Sequence, residues 1–449
     1  MKNINKDFEL TKGKKILFLG HVASLSTDEI KLFLEKFNIT YTKTLDENVK
    51  MVIESTLLSP YEEEIGSVAY QNKIPIYNTE EFEKLYAQQL NSNSLLMSLK
   101  LSGNQNRLTR LLHNPYLNDT LFIKLIAMYN WGNEGMFDNS ENMKIATLLA
   151  KRFFLKNRFD PAFYHSPVSV FEIALTSDNP DLLEIMFDLP IVTIKQSRNT
   201  SKKPTTTREA IASNQNANQN TLNKLFRLND NNIDYFLAQN PSLSHTQQER
   251  LFTRANDKTK AALTMNKNLC SDLFDKLTSF NTLWQHQKIT KNQLCLLPKP
   301  IPHEIGLNEY LSPEIISLLL QQDNQPLLEN LALNQQLTSG HIKTLFAKNN
   351  PKLYAPIAAN PNTPKEILYN LFTKNDHKID CHLALNTKTP QEMLRTLFLR
   401  DDFEINCHLS LNEALPVEWL QQLQIDTRLL GYLKENKTFT ENILNNLGI

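Results

Sequence analysis

Glycine is scarce in this chain, with ten in 449 residues. Turn-rich β architecture depends on glycine, so the shortage favours helices. Cysteine is scarcer still: Cys270, Cys295, Cys381 and Cys407 are the whole complement, all in the second half. Four dispersed thiols cannot build the dense disulfide framework of a small secreted domain, and a reducing cytoplasm is the expected setting. No apolar run reaches the roughly 18 residues of a membrane span. The opening MKNINKDFELTKGKK lacks the apolar segment of a secretion signal, so none is expected. Net charge is also missing, because 48 basic residues meet 48 acidic ones. No global field therefore draws the chain to nucleic acid or to a membrane. What remains is an apolar share of 41%, enough for real cores, in a length suited to two or three domains.

The first ninety residues alternate strand and helix patterns. Lys15-Ile16-Leu17-Phe18-Leu19-Gly20 is a short apolar run that stops at glycine, as a buried strand does. Ser26-Thr27-Asp28-Glu29 reads as a capping box, followed at helical spacing by Ile30, Phe33, Leu34 and Phe37. Asn38 suits the left-handed turn that ends a helix. Ile39–Thr42, Val49–Ile53 and Ile74–Tyr77 read as further strands, with a helix over about 60–72 and another capped by Asn78 and Glu81. This order argues for a small parallel α/β sheet. The ILFLG strand, the VKMVIES strand, the alanine-bearing helix before KIPIY and the closing TEEFEKLY together resemble a BRCT domain over roughly residues 12–88. Phe82 stands where that family usually has Trp, and Phe37-Asn38 where it has Gly-Gly. The resemblance implies a docking module. Its phosphopeptide-binding members use a Ser or Thr hydroxyl at the end of the first strand, where this chain has Leu19-Gly20. The second helix opens Glu62-Glu63-Glu64, which repels phosphate, so docking by another face is expected.

Beyond residue 210 the chain repeats itself. Asn308, Asn334, Asn360, Asn386 and Asn412 are spaced by 26 residues, and Asn214, Asn240 and Asn266 form an earlier set of the same period. A shortened unit, anchored by His286, separates the sets, and Asn436 opens a last unit. Asn114 is an isolated early copy. Leu345, Leu371 and Leu397 stand eleven residues after their anchors; Ile342, Leu368 and Leu394 stand eight after. Those offsets share one helix face. Thr363-Pro364-Lys365-Glu366 and Thr389-Pro390-Gln391-Glu392 read as capping boxes with proline at the first helical position, and Ser312-Pro313 has the cap and the proline. Two residues before the anchors the chain stays small, at Ala238, Ala332, Ala358, Ala384 and Ser410, which suggests close packing on the next unit. Each anchor Asn is read as a buried turn residue whose side chain bonds backbone, rather than as a ligand contact. The phrases IAANPNTPKEIL and LALNTKTPQEML resemble the leucine-rich repeat variant, LRV. That resemblance implies an all-α, right-handed helical-repeat solenoid of long helices alternating with short, often 3₁₀, ones. Some relatives carry an N-terminal iron–sulfur cluster, but no cysteine precedes Cys270 here.

Residues 91–209 carry less pattern. A helix over about 143–159 holds Lys151, Arg152, Lys156 and Arg158 among phenylalanines, a candidate phosphate-contacting face. An amphipathic helix with solvated charges is the plainer reading. Ser197–Thr207 reads as a mobile loop or hinge. The sequence has no phosphate-binding glycine loop, no HExxH and no GxSxG. Two Cys-His pairs, Cys381-His382 and Cys407-His408, have the look of a zinc set, but the 26-residue copying explains them without a metal.

The expected architecture is therefore multidomain: a BRCT-like α/β domain over 1–90, a helical linker region over 91–209, and an LRV-like solenoid over 210–449. The expected function is a cytoplasmic, bacterial, non-enzymatic scaffold for a protein partner, with no cofactor and no metal. A DNA-maintenance factor that contacts nucleic acid is the alternative, and a metal or catalytic site at the Cys-His pairs is the third reading.

Overall fold

A computed structural model describes residues 3–154, 166–195 and 202–447, without the side chains of Cys295 and residues 443–447. The chain forms two compact units, Met1–Ser242 and Leu243–Ile449. The first holds the sheet, a set of helices and the earliest repeats. The second holds the remaining repeats.

The sheet has four strands: β1 (Lys15–Leu19), β2 (Thr40–Thr42), β3 (Val49–Glu54) and β4 (Ile76–Asn78). They lie in the order β2-β1-β3-β4, every neighbouring pair parallel. Parallel strands are covered on both faces, which is why β1 reads as an unbroken apolar run. On one face Leu17, Leu19, Val49, Val52 and Ala69 form a cluster. On the other, Phe18 meets Phe82 edge to face at 5.1 Å, and Phe82 extends to Phe33. The Phe82 ring is fully buried. The capping boxes at Ser26–Glu29 and Asn78–Glu81 are formed, as is a third at Ser59–Glu62. Asn38 is left-handed, with φ of 58°. A helix at Ile4–Leu10, capped by Asn3, was not legible in the polar opening; it buries Phe8 against Phe33 and Phe37.

The helix read over 143–159 runs Ser140–Phe153 among the described residues. The expected hinge near 197–207 is in part fixed. Thr193 and Thr206 form an antiparallel bridge, and Thr206 caps the helix Thr207–Ser213 in a capping box with Glu209. Residues 196–201 lie outside the described residues.

The second unit is a succession of helix pairs. Pro351–Ala359 precedes Lys365–Phe372, and His377–Leu385 precedes Gln391–Phe398. Both members of each of these pairs are α-helices of near-equal length, which corrects the implied alternation of long and short helices there; 3₁₀ helices do stand before the anchors Asn308 and Asn436, at His303–Leu307 and Thr427–Leu429. Equivalent helices of consecutive units pack on one another, from Gln325–Leu333 through Pro351–Ala359 and His377–Leu385 to Phe403–Leu411. Between units the chain reverses through left-handed Asn349, Asn375 and Asp401. Asn and Asp tolerate that conformation because their side chains bond locally. The next residue in each case, Asn350, Asp376 or Asp402, caps the following helix.

The Thr-Pro capping boxes are also corrected. Thr363 and Thr389 do not cap forward; their hydroxyls donate back to the carbonyls of Ile357 (2.6 Å) and Leu383 (2.7 Å). Those carbonyls sit in the last turn of the preceding helix, where intrahelical donors run out; that of Ile357 also accepts from the Asn360 amide at 3.2 Å. Ser312 does cap forward, accepting from the Ile315 amide.

Candidate functional site

Four places carry the sequence's candidate residues: the end of β1, the line of anchor asparagines, the Cys-His region and the basic cluster at 151–158. At the end of β1 the Gly20 amide points at a carboxylate of the same chain. Glu62 accepts from that amide at 2.9 Å, and from the Ser59 amide and hydroxyl at 2.9 and 2.8 Å. These donors hold the Glu62 carboxyl down at about 2, the Ser59 amide contributing most. The seat that an incoming anion would need is filled from within. Gly20 itself is required there, since its φ is +78° and a Cβ would lie 2.6 Å from that of Ser55.

The anchor asparagines form a ladder. Asn386 donates from Nδ2 to the carbonyls of Ala358 (2.7 Å) and Asn360 (2.9 Å), and its Oδ1 accepts from the Lys388 amide. Asn334, Asn360 and Asn412 repeat all three bonds. Asn240 does the same in the first unit, to Ala212 and Asn214. Asn214 donates to Ala174 and Ser177, Asn308 to Trp284 and Gln287, and Asn436 to Ser410 and Asn412. Asn266 accepts from the Asn268 amide. Asn114 donates to the Glu83 carbonyl, so the isolated early copy uses the same chemistry. In most rungs one acceptor is the carbonyl two residues before the previous anchor, which is where the chain stays small.

The shortened unit is anchored by Gln287, not His286. Gln287 donates to the carbonyls of Thr264 (2.7 Å) and Asn266 (2.8 Å), the bonds an anchor makes. Glutamine carries the same amide on one more methylene, so the neighbouring position serves when the unit is short. His286 is instead half-buried, and its pKa falls through desolvation.

The Cys-His pairs do not converge as a set of four. The rings of His382 and His408 meet edge to face at 6.5 Å. Burial, then the neighbouring His408 and Lys378, push the pKa of His382 down. Cys381 faces a different histidine, His377, one turn earlier on its own helix, with Sγ 3.9 Å from Nδ1. From the next unit Glu404 brings a carboxylate oxygen 3.9 Å from the same Nδ1, and Asp402 accepts from Nε2 at 3.2 Å. The sequence reading missed His377, although HKIDC sets it four residues before Cys381 and hence on one helix face. Cys381 is buried, while His377 and Glu404 are open to solvent. Burial first, then the charges of Glu404, Asp402 and Asp380, push the Cys381 thiol up to about 11.

Compared with known proteins, the chain matches no family model, no curated protein and no solved structure.

Of the basic candidates, Arg152 is committed within the fold. Its side chain is 4% exposed and pairs with Asp119 at 2.7 Å. It also donates to the Leu117 carbonyl and lies over the Phe122 ring at 4.7 Å. A guanidinium held this way is not presented to a phosphate, which departs from the solvated face read from sequence. Lys151 is partly buried on the same helix, and Lys156 and Arg158 lie outside the described residues. No helix among the described residues is long and apolar enough to cross a membrane.

Proposed function

We propose that this chain is a non-enzymatic interaction scaffold, with a BRCT-like module docking by a face other than the Gly20 seat and repeats forming an LRV-like solenoid. The partner is a protein. The observation that carries this reading is the asparagine ladder. A stack that satisfies its own turn groups unit after unit leaves its outward side chains free for recognition, as helical-repeat proteins do. The Glu62 carboxylate on the Gly20 amide supports docking without a phosphate. Arg152 within the fold weighs against a nucleic-acid face on its helix.

The test is a pull-down with the untagged full chain from its native host, run on nuclease-treated and untreated lysates, with cross-links mapped to residues. A protein recovered from both lysates and cross-linked to the repeats supports the scaffold. Recovery only from untreated lysate overturns it in favour of nucleic-acid association.

A further inference from the structure

The His377 region holds a ligand set that the scaffold reading does not use. His377 and Cys381 come from one repeat unit and Glu404 from the next, and one ligand atom from each lies within 4.8 Å of the other two. Tetrahedral zinc with bonds of about 2.0–2.3 Å separates its ligand atoms by about 3.3–3.7 Å. The two separations of 3.9 Å at Nδ1 need only a small closure, which the exposed side chains of His377 and Glu404 can supply.

The imidazole is already oriented. Asp402 accepts from Nε2, which fixes a proton there and turns Nδ1 toward Cys381 and Glu404. A carboxylate behind a histidine in this way is the usual outer partner of a metal-bound imidazole. Asp402 is itself held by the Ile405 amide at 2.9 Å, because it is the cap of the Phe403–Leu411 helix.

Copying of the repeat does not explain the set. One period on, Cys407 repeats Cys381, but Phe403 stands in place of His377 and Leu430 in place of Glu404. One period back, Ala355 and Pro351 replace the cysteine and the histidine. The ligands coincide at one level of the stack only, on a backbone shared by its neighbours.

We propose that His377 Nδ1, Cys381 Sγ and Glu404 bind one divalent zinc ion, with the fourth position open to solvent. The borderline-soft N, S, O donor set suits zinc better than calcium or magnesium, which take oxygen. Binding replaces the thiol proton with a sulfur–zinc bond and releases that proton to water. With ligands from two successive units, the ion clamps one unit to the next.

The test uses the full, untagged chain, freed of metal by chelation and titrated with Co²⁺ as a spectroscopic stand-in and then with Zn²⁺. The expected result is one equivalent of cobalt with a thiolate-to-metal charge-transfer absorption, displaced by zinc. Cys381→Ser and His377→Ala abolish that absorption. Asp402→Asn keeps the helix cap and weakens binding about 10–100-fold. Cys407→Ser and Cys270→Ser leave it intact. Cys270 matters as a control because Glu249, Cys270 and Asp272 also lie together. His377 is exposed, so His377→Ala retains the far-ultraviolet circular dichroism of the parent and guards against misfolding. Absence of a charge-transfer band overturns the proposal. So does a band that survives His377→Ala, or one lost with Cys270→Ser but not with Cys381→Ser.

Discussion

The side-chain amide of Asn386 donates to the main-chain carbonyl of Asn360, 2.9 Å away, and Asn360 donates at the same distance to Asn334. Each anchor thus satisfies a buried acceptor of the unit before it.

Replacing Asn386 by Ala strands the Ala358 carbonyl and the Lys388 amide and leaves the Asn360 carbonyl with the Thr363 amide as its remaining donor. A loss of about 2–4 kcal/mol is expected, since a buried group left unpaired costs its desolvation. Asn386→Asp is worse than Ala, because a carboxylate then faces two carbonyls with no proton to offer. Urea denaturation followed by circular dichroism ranks the two variants, and equal midpoints would contradict the ladder.

Gly306 occupies the small position two residues before Asn308, where most other units have alanine. A Cβ there would lie 2.8 Å from Asn330 Cβ and Leu331 N. Gly306→Ala should cost about 1–3 kcal/mol by overpacking. Ala358→Gly in a regular unit should cost about 1 kcal/mol for the opposite reason, lost helix propensity. Thermal denaturation of both variants tests the pair.

Glu62 gives a pH signature. Its folded pKa is depressed, so its contribution to stability is complete above the ordinary glutamate range and is lost as pH falls through about 2. Carbon-detected NMR of the Glu62 carboxyl should show a midpoint near 2. Glu62→Gln should flatten the acid limb of the stability curve. A midpoint above 4 would mean that the Ser59 and Gly20 donors do not hold the carboxylate.

Arg152→Lys should destabilise the first unit by about 1–2 kcal/mol, because lysine cannot reproduce the planar fork and ring stacking. The melting temperature reads this directly. An unchanged melting temperature would return Arg152 to the list of surface contacts.

Much of this was readable in the residues, for local reasons. The strands announce themselves as apolar runs, and the caps at Ser26 and Asn78 need only four consecutive residues. The anchors are visible because a long period of 26 residues recurs within each set. What escaped depends on geometry between units. Gln287 was hidden because a shortened unit shifts the anchor by one position. The hydroxyl of Thr363 turned back to the Ile357 carbonyl in the last turn of the preceding helix, a bond that four consecutive residues do not announce. The pairing of His377 with Glu404 spans 27 positions and becomes a neighbourhood only when one unit lies on the next.

The ladder also bears on how such a chain can change length. Every regular rung joins atoms 26 and 28 positions apart. Removing or adding one whole period returns each amide to an equivalent carbonyl. A deletion of 25 or 27 codons sets every later anchor out of step with its acceptor at that junction, unless a glutamine at the neighbouring position makes up the difference. Gln287 is what such a repair looks like.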